Sequence, residues 1–329
     1  MRRPPTRQGA RVRTQILNDY RQSPRLRNAN IEQALSGSIK EPEACLLWDL
    51  IVQRKPSVVL QVGTFVGVSS LIMAEALRNN HQGMLVTVDP EIPHRAIKNP
   101  VDICRYFAKK RSLDDRIRFI RGWFSDSPHM DAFTPGHPHR DIPVVSQSLL
   151  SDLGPIDMTF IDGDHSTLSC ISDFVAVKNH LSEKGMVLFH DVRSWVTVMA
   201  AVHAIARDVT IRDTFSMGGL WTGDGIFYME RIPGRQRVSL HLIVRDSVSE
   251  KPIVNARIRH RKREMARTDT NGGAWFEQVP SGRYHIDIEV PGYRSLENRP
   301  VQIRNDAPEQ IITIHMERNH PSASTSGAP

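Results

Sequence analysis

The chain has 329 residues, 40% of them apolar and 24% charged, which supplies enough apolar side chain for real cores and a length that points to two domains. Its 43 Lys and Arg exceed its 36 Asp and Glu by a net +7, but residues 1–30 alone hold eight Arg against one acid, Asp19. The basic excess therefore belongs to one end, the remainder is neutral, and a nucleic-acid-binding domain is not indicated.

Residues 1–35, rich in Arg and Pro at the start, are expected to form a basic flexible arm, solvated rather than bound to a polyanion or membrane surface. Past Ser36-Gly37-Ser38, the run Pro42 to Val52 suits an amphipathic helix with Pro in its first turn, ended by Lys55-Pro56. Val58-Val59-Leu60-Gln61-Val62 reads as a buried strand. It breaks into Gly63-Thr64-Phe65-Val66-Gly67-Val68-Ser69-Ser70, and a helix takes over at Leu71. Gly63 permits a tight turn, Gly67 is expected to let a ligand approach the backbone, and the helix start offers unpaired N–H groups. The glycine spacing is G-x-x-x-G, not the G-x-G-x-x-G that cradles a dinucleotide pyrophosphate. A second strand, Met84 to Val88, ends in Asp89, 22 residues after Gly67, where an acid can accept hydrogen bonds from ribose hydroxyls.

A helix over 101–110 leads to a third strand, Ile117 to Ile120, closing in Gly122-Trp123-Phe124-Ser125. Trp123 or Phe124 could cover an adenine ring or pack in the core. Residues 126–145, with four Pro and His129, His137 and His139, read as a substrate-side lid with solvated histidines. Then come two apolar runs that stop in polar clusters: Ile156 to Ile161 breaks into Asp162-Gly163-Asp164-His165, and Met186 to Phe189 breaks into His190-Asp191. Between them Leu168, Ile171, Phe174, Val175, Val177 and Leu181 recur at helical spacing, with Lys184-Gly185 as a stop. In such a strand–helix–strand unit the strands run parallel and ligands gather beyond their carboxyl ends. Asp162 and His190, 28 residues apart, are thus expected to be neighbours. Asp164 is expected to support the turn.

Val196 to Ile205 reads as a helix, and Val209 to Phe215 with Ile226 to Glu230 as an antiparallel pair closing the sheet. After Pro233-Gly234 the apolar period changes to two. Short strands around 238–244, 256–258, 274–276, 284–290 and 311–313 make a small all-β sandwich over 236–318. Its His241, His285 and His315 are expected on solvent faces, and 319–329 as a disordered tail. Cys45, Cys104 and Cys170 are odd in number and lack metal spacing, which fits a reducing, cytoplasmic compartment. No run approaches the roughly 18–20 apolar residues of a membrane span, and the basic N-terminus lacks the apolar segment of a secretory signal.

Together, Val58 to Ser70, Asp89 and Ile156 to Asp191 resemble the class I S-adenosylmethionine-dependent O-methyltransferases, closest to the catechol-type and macrolide-sugar branches. The resemblance covers about residues 36–231. It implies an α/β fold, a Rossmann-like, doubly wound, seven-stranded sheet with an antiparallel last strand, and a methyltransferase domain over 36–232. It implies cofactor contacts at Gly63, Thr64, Phe65, Gly67, Ser69, Asp89, Trp123 and Asp162. It also implies a divalent metal on Asp162, His190 and Asp191, and His165 as catalytic base. Gln61 stands where the family carries an acid, so one contact near the amino end of the cofactor is neutral in this chain. His190 also replaces an acid, which tilts the ion from Mg²⁺ toward Mn²⁺, Fe²⁺ or Zn²⁺. Asp246, Lys251-Pro252-Ile253, Thr268 to Gly272 and Pro280 to Tyr284 resemble the carboxypeptidase regulatory-like, transthyretin-type sandwich.

The resulting expectation is methyl transfer to a hydroxyl of a sugar, glycan or small natural product, aided by Mg²⁺ or Mn²⁺. The alternatives are a metal-independent transferase with a histidine base, a non-catalytic cofactor- or glycan-binding protein and, more distantly, a dehydrogenase. Whether the chain forms a homo-oligomer stays open.

Overall fold

In the computed structural model the chain divides into two compact units, Met1–Ile232 and Pro233–Pro329. The described residues are 6–26, 31–95, 97–126, 139, 141–232, 237–304 and 309–319.

The first unit runs α1 (Gln8–Gln22), α2 (Ile31–Ser36), α3 (Glu41–Arg54), β1 (Val58–Val62), α4 (Val68–Asn79), β2 (Met84–Asp89), α5 (Pro100–Lys110) and β3 (Ile117–Arg121). It continues with α6 (Ser146–Leu153), β4 (Ile156–Ile161), α7 (Thr167–Val177), β5 (Leu181–Phe189), α8 (Val196–Arg207), α9 (Val209–Thr214), β6 (Phe215–Leu220) and β7 (Ile226–Arg231). The strands form one seven-stranded sheet in the order β3-β2-β1-β4-β5-β7-β6. The five on the β3 side are parallel, and β7 runs antiparallel to both β5 and β6. Successive strand side chains point to opposite faces. Val59, Leu85, Met158 and Leu188 join one core with α1, α3, α4 and α5, while Leu60, Val86, Ile161 and Val187 join a second with α6 to α9. Helices on both faces are why these strands read as nearly unbroken apolar runs.

The structure corrects four expectations. The arginine-rich start is not a free arm from residue 8 onward. Val12, Ile16, Leu17 and Tyr20 lie on one stripe of α1 and belong to the first core, while Arg7 and Arg11 stay exposed. Arginines are tolerated because they occupy the outer face or find partners, as where Arg13 Nε donates to the Ile39 carbonyl at 2.5 Å. Helix α7 ends at Val177, and Leu181, Lys184 and Gly185 lie within β5. Its buried face is Cys170, Asp173, Phe174 and Val177, and Leu168 is 68% exposed. Val209–Thr214 is a helix rather than a strand, because the Asp208 carboxylate accepts from Thr210 N–H and Ile211 N–H and caps it. Gly218 and Gly219 consequently sit inside β6, opposite Tyr228 and Phe227.

Among its described residues the second unit has seven strands, β8 (Arg237–Asp246), β9 (Arg257–His260), β10 (Arg263–Arg267), β11 (Gly273–Pro280), β12 (Gly282–Glu289), β13 (Leu296–Ile303) and β14 (Glu309–Met316). They form a four-stranded sheet, β10-β9-β12-β13, and a three-stranded one, β11-β8-β14. Val238, Leu240, Leu242 and Val244 face the core between them, as their alternation required. Strands β10 and β13 were not legible, since Arg263–Arg267 and Leu296–Arg299 carry mostly polar, exposed residues. Of the three histidines expected on solvent faces, His241 is half-covered and stacks on Trp275 at 4.0 Å between ring centroids. The stretch 320–329, most of the expected tail, lies outside the described residues, as do 127–138 of the expected lid with His129 and His137.

Because Ile16 is 0% exposed, Ile16→Ala should cost about 2–4 kcal/mol of stability. Urea unfolding of the two proteins checks this; an unchanged midpoint would return residues 8–22 to the status of an appendage.

Candidate active site

Three parallel strands end level with one another. Val62 is paired with Ile161, and Ile161 with Phe189. The residues that follow, Gly63, Asp162 and His190, therefore emerge side by side at the carboxyl edge of the sheet. Their backbones lock together: Gly63 N–H donates to Val88 O, Asp162 N–H to Val62 O and His190 N–H to Ile161 O, all at 2.9–3.0 Å. Gly63 has φ +88°, and a Cβ there would lie 2.1 Å from the Asp162 carbonyl oxygen, so only glycine lets the two strand ends approach. Gly67 is also obligatory, with φ +82°, but a Cβ there would strike Cys104 Sγ at 2.0 Å. The packing of α5 against the turn therefore requires glycine at this position.

Asp89 binds the turn directly. Its Oδ2 accepts Thr64 N–H at 2.8 Å and Phe65 N–H at 3.0 Å, and its Oδ1 accepts Glu91 N–H at 2.7 Å. A carboxylate has roughly four acceptor positions, so three backbone donors still leave room for a hydroxyl. These bonds also hold Phe65 at φ +50°, a left-handed conformation that a bulky residue adopts only under constraint. Gln61 is fully buried, donating its amide to Ser69 Oγ at 2.9 Å and accepting from Ser70 Oγ at 2.7 Å. It thus anchors the first turn of α4.

The acids and histidines beyond β4 and β5 form one network. His190 Nδ1 lies 3.0 Å from Asp162 Oδ1 and 3.6 Å from Asp191 Oδ1, and its Nε2 lies 3.3 Å from Glu43 Oε2. The His190 side chain is 1% exposed. Burial opposes charge on it, but Asp162, Asp191 and Glu43 outweigh burial and hold its pKa well above the ordinary histidine value. His165 Nε2 meets Asp191 Oδ2 at 2.7 Å. Burial there is again overcome, by the hydrogen bond and charge of Asp191, and the His165 pKa is raised. Asp191, at φ +61°, is pushed upward by burial but pulled far below the usual carboxylate range by the two imidazoles. Asp162 goes the other way, since burial raises its pKa against the opposing pull of His190. Asp164 accepts from Ser169 Oγ at 2.6 Å and Ser166 N–H at 3.3 Å, bracing the turn.

A cleft of about 440 Å³ spans this edge, within the range of small-molecule sites. Gly63, Thr64, Phe65, Gly67, Ser69, Asp89, Trp123 and Asp162 all line it, as do His165 and Asp191. His190 does not. Expected as a metal ligand, it is enclosed behind the cleft with its nitrogens directed at carboxylates. One carboxylate oxygen each from Asp162 and Asp191 and one ring nitrogen of His165 lie within 4.8 Å of one another, a donor set that fits a divalent cation with mixed oxygen and nitrogen preference. Trp123 is buried with Ile92 and Ile142 beside it, and Phe124 belongs to the second core while its edge reaches the cleft.

Trp195 and Asp173 are among the lining residues that escaped the sequence reading. Trp195, 48% exposed, stacks nearly parallel on His165, with centroids 4.7 Å apart and planes 6° apart. Nothing in local spacing points to that contact. Asp173 lies on the buried face of α7, where burial pushes its carboxyl up to about 7 despite a 2.6 Å hydrogen bond from Ser125 Oγ. An acid at a core position of an otherwise apolar helical stripe was a legible signal.

Residues 60–192 match the family model of a methyltransferase domain, and residues 239–317 that of a carboxypeptidase regulatory-like domain. No curated protein matches the chain by sequence. Among solved structures it is similar to the S-adenosylhomocysteine-bound Podospora anserina methyltransferase PaMTH1, at 14% identity and a TM-score of 0.47, over 67% of this chain and 88% of that one. It is also similar to an O-methyltransferase from Bacillus cereus in complex with S-adenosylhomocysteine, at 14% identity and a TM-score of 0.45, over 69% and 92% of the two chains. The O-methyltransferase TomG from Streptomyces achromogenes, involved in tomaymycin synthesis, gives 16% identity and a TM-score of 0.43, over 63% and 90%. Likeness at this level says nothing of substrate. The first family match, however, falls on the strands and turns that build the cleft, and the second on the sandwich: residues 60–192 carry a methyltransferase domain and residues 239–317 a carboxypeptidase regulatory-like domain.

Proposed function

We propose that this methyltransferase acts on oxygen, transferring the methyl group to a hydroxyl of a sugar, glycan or small natural product, with a divalent metal at Asp162, His165 and Asp191. The observation that carries the reading is that the Asp162–His165–Asp191 cluster opens onto the same cleft as the turn held by Asp89. S-adenosylmethionine, when bound, supplies an electrophilic methyl group on a sulfonium. The chain must therefore orient a hydroxyl toward it and remove the proton, because a neutral hydroxyl is a weak nucleophile. A cation on Asp162, His165 and Asp191, Mg²⁺ or more fittingly Mn²⁺, would lower the hydroxyl's pKa.

With no cation in the cluster, His165 is positioned for proton removal by its bond to Asp191. With Nε2–H donated to that carboxylate, Nδ1 is the basic nitrogen of the neutral ring. Asp191 stays ionised across the working range and stabilises the imidazolium that forms. Trp195 covers one face of the ring and restricts its rotation. This dyad also favours a second reading, a metal-independent transferase in which His165 alone provides the base. A cytoplasmic location accompanies either reading, in keeping with three free, buried cysteines. Among the described residues no helix is long and apolar enough to cross a membrane.

Calorimetric titration with S-adenosylhomocysteine should show micromolar binding, weakened roughly 10- to 100-fold in Asp89→Ala, since a charged hydrogen-bonding group is worth about 1.5–3 kcal/mol. Absence of any binding would sink the cofactor assignment for this chain. In methyl-transfer assays across sugar and phenolic hydroxyls, chelation should abolish activity and Mn²⁺ or Mg²⁺ restore it, with Asp162→Ala unresponsive to either; activity indifferent to chelator leaves the metal-independent reading. Because the folded pKa of His165 is raised, its neutral, proton-accepting form is lost on going down through a pH above the ordinary value of about 6.5. If activity survives chelation, the acid limb of kcat/KM should lie above that pH and vanish in His165→Gln, and an unchanged limb would exclude His165 as its origin.

A further inference from the structure

The Gly63–Gly67 turn is gripped from two sides, and only one of them belongs to the Asp89 strand. Asp89 takes the N–H groups of Thr64 and Phe65. On the opposite side the Tyr20 hydroxyl, at the end of α1, donates to the Val66 carbonyl at 2.6 Å. Tyr20 is fully buried, and its ring stacks on Phe107 of α5 at 4.1 Å between centroids. Val66 is itself 1% exposed, so no solvent is at hand to replace the hydroxyl. The residues on either side of Val66, Phe65 and Gly67, both hold positive φ. A turn with two left-handed residues relaxes by rotating the peptides between them, and the Val66–Gly67 peptide is the one Tyr20 holds.

Resting on the assignment of this cleft to S-adenosylmethionine, we infer that Tyr20 is a positioning residue for the cofactor, so that α1, outside the segment matched by the methyltransferase family, is part of the cofactor-binding apparatus. It acts through Val66 and touches no ligand. Removing the hydroxyl leaves a buried carbonyl unpaired, and that penalty falls on the turn conformation that lines the cleft. The attachment of α1 reinforces the grip: Arg111, at the end of α5, pairs with Asp19 of α1 at 2.6 Å and with Glu75 of α4 at 2.9 Å. Three helices are thereby joined beside the turn.

Tyr20→Phe keeps the ring and its stack on Phe107 and deletes only the hydroxyl. Ile16→Val, one turn earlier on the same buried stripe, trims packing and leaves the hydroxyl in place. Titrating both full-length variants and the wild type with S-adenosylhomocysteine should show roughly fivefold to tenfold weaker binding for Tyr20→Phe and unchanged binding for Ile16→Val. Amide hydrogen exchange at 65–67 should quicken in Tyr20→Phe alone. If the two variants lose thermal stability but bind as the wild type does, Tyr20 is only a packing residue and the inference fails while the cofactor assignment stands. If the wild type itself does not bind, both fall together.

Discussion

Everything at the site depends on three parallel strands ending level. The registers that pair Val62 with Ile161 and Ile161 with Phe189 deliver a glycine turn, an acid and a histidine to one edge. A shift of one residue in either pairing would turn every side chain of that strand to the opposite face, exchanging residues between two fully buried cores. Register is consequently held by the whole apolar content of the sheet, and the polar groups at the edge inherit their positions from it. Gly63 makes the edge possible by letting the β1 end lie against the Asp162 backbone.

Once brought together, the charged groups have to tolerate one another. Asp162, Asp191 and Glu43 converge on His190, which is enclosed away from solvent. Three carboxylates at such spacing would repel strongly in a low-dielectric interior, and a positive imidazole among them converts repulsion into attraction. Stripping one member from such a buried set costs about 3–5 kcal/mol, because its partner's charge is left unpaired. His190 in place of the acid suggested by family resemblance is thus compensated locally. Glu43, arriving from α3, is held in turn by Lys40 N–H and Gly225 N–H at 2.7 Å. With His190 absorbed into this support, the groups facing the cleft are Asp162, His165 and Asp191.

The turn bearing Phe65 shows the same economy. Its left-handed residues are stabilised by bonds from β2 on one side and α1 on the other, and Gln61 secures the helix that follows. Strain at the ligand face is maintained by buried hydrogen bonds behind it.

What the sequence by itself determined is the pattern that survives any packing detail: apolar runs of period two in the sandwich, unbroken apolar strands in the sheet, and polar clusters at the ends of β4 and β5. From these followed the strand–helix–strand unit, the proximity of Asp162 and His190, and the place of Asp89 at the end of the second strand. Tertiary structure alone decided which face each polar side chain turned to. The arginines of α1 obscured the stripe Val12, Ile16 and Tyr20, because composition averages over a helix whose two faces differ. The roles of His190 and His165 hinged on Glu43, which lies on another helix, and on Trp195, which reaches His165 only through the fold. Local periodicity reports how much of a segment is buried; it carries no information about which distant groups meet there, and it is those meetings that set charge, orientation and chemistry.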